Sequence, residues 1–238
     1  MAHHLAIDNT SLKLLVAERS RRSSKADSTR CRRPRRFATS SRRSHPASID
    51  GNVKHSSAQC SATSTSPTHP FGLQDVQGDG REIAEFQQRL SPELSKAIRV
   101  CARRLGVSPA SLMHLAWAMV LSRATGRREA VFGTVLFGRM QGSERGMGMF
   151  INTLPIRIDV DERYVAECLA HTHERVVQLI YHEHAPLALA LRCSGLPARQ
   201  ALFSSLLNYR HSEQAAEPHR GTTTISSTWT ATSAPNIR

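Results

Sequence analysis

The sequence predicts a mixed α/β protein in which helices pack on a sheet, and three observations support this class. Two segments with helical spacing of apolar residues are followed by two segments of strand character. A further helical segment and a further apolar extended segment come next. The order helix-helix-strand-strand-helix-strand is typical of layered α/β domains and excludes a helix bundle or a barrel.

Two helices open the predicted domain, and each begins at a Ser-Pro pair. Ser91 is a good N-cap and Pro92 suits the first helical position. The predicted buried face of this helix is Leu94, Ile98, Cys101 and Leu105, and the helix stops at Gly106. Ser108-Pro109 begins the second helix, which ends near Gly126. Its predicted buried face is Leu112, Leu115, Ala116, Met119 and Val120.

Strands are predicted at 130–137 and 150–160, since apolar residues dominate the first and alternate in the second. Pro155 places the second strand at a sheet edge or in an irregular position, because proline cannot donate a backbone hydrogen bond. A helix is predicted over 163–181, with Val165, Leu169, Val176 and Ile180 at helical spacing. A last apolar strand is predicted over 201–209.

The net charge of +13 belongs mainly to one tract, residues 19–70. This tract holds 12 lysines and arginines against Asp27 and Asp50, together with 18 serines and threonines. Because it has few large apolar side chains, it cannot bury enough surface to offset the entropy of ordering, and we expect it to be disordered. The Ser/Thr-rich tail, residues 218–238, is also expected to lack stable structure.

The composition also predicts the cellular compartment of the protein. No apolar run approaches the 18 or so residues that a membrane span needs, and no export signal is visible at the start. The five cysteines are widely spaced and contain no CxxC pair, which favours reduced thiols over disulfides or a zinc site. We therefore expect a cytoplasmic protein that does not associate with membranes.

The most informative motif lies at the start of the chain. His3 and His4 are followed by three apolar residues and Asp8, and the chain then enters an amphipathic stretch over 11–18. This pattern resembles the HHxxxDG active-site motif of condensation domains in nonribosomal peptide synthetases, a branch of the chloramphenicol-acetyltransferase-like superfamily. Asn9 stands where that motif has glycine. The position can accept asparagine, because asparagine adopts left-handed backbone conformations more readily than most residues.

Four further segments are similar to motifs of the same family, in family order. Residues 126–139 resemble the GRxDVVFGTxxSGR stretch, and residues 148–157 resemble GxFxNTxPxR. Residues 182–190 are similar to the HxxxPL segment, and residues 202–209 to the LFDxxxxY strand. The resemblance covers residues 1–18 and about 71–217. It divides the chain into a motif remnant (1–18), the basic tract (19–70), a C-terminal lobe (71–217) and a tail (218–238).

The resemblance implies that intact relatives form an amide bond between an acyl or peptidyl thioester and an aminoacyl thioester. Both substrates are carried on phosphopantetheine arms of carrier domains, and no metal or nucleotide cofactor is implied. His4 is placed at the reacting centre, either as general base or as a positioning and charge-stabilising group, beside His3. Asp8 is expected to form a structural ion pair with Arg139. Asn152 matches an active-site asparagine, or alternatively is a strand residue that hydrogen-bonds a loop.

The sequence differs from the family pattern in two ways that bear on the expected activity. In the family an N-terminal lobe precedes the histidine motif, whereas here the motif begins at residue 3. The basic tract contains no Tyr or Trp where the family has a Tyr-x-Asp-Phe box. We therefore expect a partial chloramphenicol-acetyltransferase-like fold, mostly its C-terminal lobe, with little or no activity. A shifted reading frame is one hypothesis for the origin of the tract.

Other functions are weighed against this one. A non-catalytic remnant that docks a carrier or neighbouring domain is the main alternative. The arginine run at 32–36 raises the possibility of nucleic-acid binding, but the chain has no groove-reading module or aromatic platform. The pairs His171 and His173, and His182 and His184, point apart on helical segments and lack a completing Cys or acidic ligand, so no metal site is predicted.

Overall fold

The computed structural model describes residues 8–24, 67–73, 86, 88–139, 148–194, 196 and 201–210. His3, His4, residues 25–66 of the basic tract and the predicted tail lie outside these ranges. The described helices are α1 (Asn9–Ser24), α2 (Pro92–Arg104), α3 (Pro109–Thr125), α4 (Val165–Tyr181) and α5 (Leu187–Cys193). The described strands are β1 (Glu129–Leu136), β2 (Asn152–Asp159) and β3 (Leu206–Leu207).

The three described strands form one sheet in the order β2-β1-β3. β1 and β2 are antiparallel over their full length, from Glu129 opposite Asp159 to Leu136 opposite Asn152, while β3 runs parallel to β1. Pro155 lies in β2, which is an edge strand of the described sheet, as the sequence predicts. The mixed α/β class is thus confirmed.

The core lies between the sheet and helices α3 and α4. Its fully buried side chains include Leu121 of α3, Phe132 of β1, Ile156 of β2 and Leu169 of α4. Burying an aliphatic or aromatic side chain of this size contributes about 1.5–3 kcal/mol each. This cluster fixes β1 and β2, whose ends carry the candidate site.

The predicted starts of α2 and α3 are correct. The Oγ atoms of Ser91 and Ser108 accept hydrogen bonds from the backbone N–H of Leu94 (3.2 Å) and Ser111 (3.1 Å), so each serine caps its helix. α3 ends at Gly126, whose φ of 68° is the left-handed conformation expected of a C-terminal glycine.

The predicted buried face of α3 is only partly correct: Leu115 is buried and Leu112 packs against the core, as predicted. The buried residues are Ser111, His114, Leu115, Ala118, Leu121 and Ser122, whereas Ala116, Met119 and Val120 are exposed. α3 is apolar on most sides, so apolarity alone does not choose the side that faces the core. Polar residues can be buried here because they are bonded: His114 donates from Nδ1 to the Ala110 carbonyl (2.7 Å) and accepts at Nε2 from Thr134 (3.3 Å). Burial also lowers the pKa of His114.

Three other sequence predictions need correction. In α2, Leu94 and Leu105 are 49% and 40% exposed, so the predicted apolar face is only partly covered. In α4, Val165 is the first residue of the helix and is 68% exposed, so the predicted apolar face begins only after it. The last strand is Leu206–Leu207 rather than 201–209, because pairing with β1 involves only Gly133 and Thr134. α5 was not predicted, although Pro186 before an Ala/Leu run is a helix-start signal.

Both ends of the basic tract are ordered, unlike its predicted state. α1 continues to Ser24, six residues beyond the predicted boundary at 18. Thr68 is fully buried, accepts a hydrogen bond at Oγ1 from the Val131 N–H (2.9 Å) and bridges in parallel to Phe203. The prediction of disorder rested on the average composition of a 52-residue tract. Such an average does not show that a few residues at each end can be ordered.

Within the described ranges, no single helix is long and apolar enough to cross a membrane. α2 and α3 meet the length and composition criteria only when taken together, and their axes are bent by 106°.

Candidate active site

The start of α1 is anchored by Asp8, which is buried at the N-cap position. Its Oδ1 accepts a hydrogen bond from the backbone N–H of Ser11 at 2.7 Å, an interaction typical of helix caps. Arg139 donates from one terminal nitrogen to both carboxylate oxygens, at 2.7 and 2.9 Å. The backbone N–H of Phe150 also donates to the Asp8 carboxylate, at Oδ2, over 3.4 Å. The structure therefore brings together Asp8 and Arg139, the two residues proposed from sequence as an ion pair.

Arg139 reaches Asp8 from the segment that follows β1. Gly138, immediately before it, has a φ of 62°, a left-handed conformation that turns the chain toward Phe150. The guanidinium lies 4.5 Å from the centre of the Phe150 ring, a cation–π contact. Arg139 thus connects three segments: the end of β1, the approach to β2 and the start of α1.

Ser11 completes this cluster, and sequence analysis missed it. Its side chain is fully buried; Oγ donates to the Gly148 carbonyl (2.9 Å) and accepts from the Gly148 N–H (3.1 Å) and from Arg139 (2.9 Å). One sequence feature could have pointed to Ser11: it is a serine at the third helical position after an aspartate N-cap. A serine side chain there can hydrogen-bond to backbone groups nearby. We call Asp8, Ser11, Arg139 and Gly148 the motif clamp.

Electrostatics at the clamp favour the ionised form of Asp8. Burial raises the pKa of the carboxyl group, but hydrogen bonds from the Ser11 backbone and from Arg139 outweigh burial and lower the net pKa below its usual 3.8. The clamp therefore contains an ionised carboxylate at neutral pH.

The lowered pKa predicts an acid-dependent loss of stability. Because the folded-state pKa of Asp8 lies below the unfolded value, its contribution is fully present well above pH 3.8 and is lost as the pH falls through the folded pKa. We expect the unfolding free energies of wild type and Asp8→Asn to converge as the pH is lowered from 6 to about 3. Urea denaturation at several pH values measures this difference. A difference that stays constant over the range would contradict the assigned pKa shift.

Asn152 holds a different part of the site. Its amide nitrogen donates to the carbonyls of Glu183 (2.9 Å) and Ala185 (2.7 Å), and its Oδ1 accepts from the Thr153 N–H (2.9 Å). Of the two roles considered from sequence, these contacts are those of a strand residue that fixes a loop. The loop is the 182–186 part of the HxxxPL-like segment, with Glu183 almost fully buried.

Removing these bonds is expected to loosen the loop. Asn152→Ala leaves two backbone carbonyls without their donor, and we expect a loss of about 2 kcal/mol in the free energy of unfolding. Gln88→Ala is the matched control, since the Gln88 amide also donates to a backbone carbonyl but does so in solvent (3.2 Å). The control should change stability by less than about 0.5 kcal/mol. Equal effects in chemical denaturation of the two variants would refute the role of Asn152.

The clamp and Asn152 flank one short segment, residues 148–152. Asp8 contacts Gly148 and Phe150 of this segment, and Asn152 begins β2 at its end. His4 precedes Asp8 by four residues but, like His3, lies outside the described residues. The geometry thus fixes the end of the histidine motif against the sheet.

The histidines at 171–184 lie in α4 and in the 182–186 loop that Asn152 holds. His173 Nδ1 is 2.9 Å from Ser111 Oγ, which connects α4 to the start of α3. His184 Nε2 is 3.7 Å from a Glu183 carboxylate oxygen. Across the described ranges, no group of three or more His, Cys, Asp or Glu side chains is arranged to hold a metal ion.

Known structures share this fold. The first condensation domain of the calcium-dependent antibiotic synthetase, in complex with a substrate analogue, superposes with a TM-score of 0.71 at 20% identity, covering 95% of this chain and 54% of that chain. A four-domain nonribosomal peptide synthetase bound to AMP and glycine gives a TM-score of 0.69 at 15% identity, covering 87% and 16%. These matches establish the class, a chloramphenicol-acetyltransferase-like fold of the condensation-domain type.

The family model for the condensation domain matches residues 70–234, and the chain belongs to this family. Malpinin synthetase of Mortierella alpina is 54% identical over 158 residues, covering 65% of this chain and 2% of that protein. Malpibaldin synthetase of the same organism is 42% identical over 215 residues, covering 89% and 4%. The chain thus spans a small fraction of these relatives. The family match also extends beyond 217, the predicted end of the lobe, into residues 218–234.

Proposed function

We propose that this chain serves amide-bond formation between an acyl or peptidyl thioester and an aminoacyl thioester. The observation that carries the proposal is the motif clamp in a chain of the condensation-domain family. The clamp fixes Asp8, and with it the end of the histidine motif, against the segment that leads to β2. A reaction between two separately carried substrates needs such fixed geometry, because orientation lowers the entropic part of the barrier.

In the proposed reaction, the amine nitrogen of the aminoacyl substrate attacks the thioester carbonyl carbon. A C–N bond forms, the C–S bond breaks, the thiol leaves, and the proton lost by nitrogen is balanced by the one that the thiolate gains. His4 acts at this centre, as general base or as a group that positions the amine and stabilises developing charge. Asp8 and Arg139 act through the loop as positioning residues, and Asn152 positions the 182–186 loop.

The substrates are proposed to arrive on phosphopantetheine arms of carrier domains in neighbouring synthetase modules, in the cytoplasm. Neither a nucleic-acid partner nor a metal belongs to this proposal. We also propose that this chain alone turns over little substrate, since it corresponds to 54% and 52% of the solved condensation-domain chains it matches.

Single-turnover assays test both parts of the proposal. The purified chain is mixed with one carrier domain loaded with an acyl group and another loaded with an amino acid, beside an intact condensation domain as reference. We expect slow product formation that falls about a hundredfold or more in His4→Ala, with His171→Ala as the matched control on the surface of α4. Product that does not depend on His4 would overturn the catalytic assignment, and a rate equal to the reference would overturn the low activity. Carrier binding without any product would favour a non-catalytic docking role.

A further inference from the structure

Phe150 contacts both members of the buried ion pair in the motif clamp. Its backbone N–H donates to the Asp8 carboxylate at 3.4 Å, and the centre of its ring lies 4.5 Å from the Arg139 guanidinium. Phe150 and Arg139 are only 6% and 8% exposed. A single residue thus contacts the anion through its main chain and the cation through its side chain.

Three hydrogen bonds of Arg139 involve the same nitrogen atom. Nη2 donates to the two Asp8 carboxylate oxygens at 2.7 and 2.9 Å and to Ser11 Oγ at 2.9 Å. A guanidinium that binds a carboxylate through two nitrogens is held in one plane, whereas bonds to a single nitrogen fix that atom and allow the plane to turn about it. The Phe150 ring lies against the guanidinium and opposes this rotation.

The charge distribution of the ring also suits it to hold a cation. The face of an aromatic ring is negative, and its attraction for a guanidinium is strongest where water is excluded. Another cation–π contact of the described residues, between Arg210 and Phe137, is longer at 5.7 Å and has an exposed arginine. We therefore expect the contact of Phe150 with Arg139 to be the stronger of the two.

We propose that Phe150 is a positioning residue for amide-bond formation, which holds Arg139 against Asp8 and thereby fixes the end of the histidine motif. This role rests on the proposed function. His4 precedes Asp8 by four residues, so a shift of the clamp would displace the histidine from its substrates. Displacements of about 1 Å are enough to cost about a hundredfold in rate.

Replacing Phe150 by mono-, di- and trifluorinated phenylalanine tests the contact with Arg139. Fluorine removes negative charge from the ring face but changes the size of the ring little, so the contact weakens without opening a cavity. We expect the unfolding equilibrium constant in urea to rise stepwise, by about tenfold over the series. The same series at Phe132, a buried core ring, is the matched control and should show no trend.

A second control removes the cation. In Asp8→Asn/Arg139→Met, fluorination at position 150 should leave the unfolding equilibrium constant unchanged. Equal trends at 132 and 150, or a trend that persists without the guanidinium, would overturn the contact as the reason for the aromatic ring.

Titration of the Asp8 carboxyl group by carbon NMR reports on position without any need for product. Because the hydrogen bond from Arg139 lowers the pKa of Asp8, loosening Arg139 should raise that pKa toward its ordinary value as fluorine is added at 150. The series at Phe132 should leave the pKa of Asp8 where it is. An unchanged titration in the folded trifluorinated protein would overturn the positioning of Arg139 by Phe150.

The single-turnover assay separates this proposal from the proposed function. We expect the rate to fall about tenfold over the series at 150 and to stay constant over the series at 132. A constant rate at 150, despite a raised pKa of Asp8, would reject the role of Phe150 in the reaction. Absence of product from the unsubstituted chain would refute the proposed function, whereas the pKa of Asp8 would still show whether Phe150 positions Arg139.

Discussion

Arg139→Met is expected to lower the free energy of unfolding by about 3–5 kcal/mol, because it leaves the buried carboxylate of Asp8 without its cationic partner. Backbone N–H groups of Ser11 and Phe150 still face the carboxylate, so the group remains in place but loses its compensating charge. A loss of this size is a large part of the 5–15 kcal/mol that typically stabilises a domain. Urea denaturation at neutral pH measures it.

Arg163→Met is the matched control for this prediction. Arg163 and Asp161 also approach to 2.7 Å, but both side chains are more than a third exposed. Their ion pair should contribute much less to stability than the buried pair, since solvent screens it. The double variant Asp8→Asn/Arg139→Met should recover part of the stability lost in Arg139→Met. A similar loss in the Arg139 and Arg163 variants would show that burial of the clamp adds nothing to its strength.

Gly138→Ala is expected to destabilise the protein by about 3 kcal/mol and to disturb the motif clamp next to it. A Cβ at this position would overlap the carbonyl oxygen of Phe150 and lie 3.1 Å from its carbonyl carbon. Because these are backbone atoms, they cannot move aside as the end of a flexible side chain could. The segment carrying Phe150 would have to shift, and with it the N–H that Asp8 accepts.

Gly126→Ala separates the steric effect from the backbone conformation. Gly126 has a φ of 68°, close to the 62° of Gly138, but a Cβ at Gly126 meets no atom within 4 Å. We expect Gly126→Ala to lower stability by about 1 kcal/mol, the cost of a left-handed alanine. Thermal unfolding of the two variants gives the comparison. Equal changes would mean that conformation alone, and not the approach of Phe150, explains the glycine at 138.

The clamp also shows how much of the site could be predicted. Asp8 and Arg139 are 131 residues apart, and only their separate likeness to two family motifs suggested that they meet. Ser11 carries no motif of its own in the sequence analysis, so its contacts with Gly148 became visible only in three dimensions. Asn152 had two open roles, and its bonds to Glu183 and Ala185 favour positioning of a loop.

Local chemistry determined the boundaries of several elements. The Ser-Pro starts of α2 and α3, the stop at Gly126 and the edge position of Pro155 all follow from capping, backbone conformation and missing donors. These effects act within a few residues, so the sequence alone was enough to predict them. The order of elements likewise identified the α/β class.

Only the tertiary structure decided which side of each helix is buried and where distant segments meet. α3 is apolar on several sides, and its core-facing side was selected by packing on β1 and by partners for His114 and Ser111. α2 has a clear apolar face, yet Leu94 remains half exposed because the body covers only one side of the helix. Thr68, inside a tract of unfavourable composition, forms an isolated bridge to Phe203 and accepts a hydrogen bond from the Val131 N–H of β1. In each case the deciding contact comes from residues far away in the chain, whose positions local propensity and periodicity do not specify.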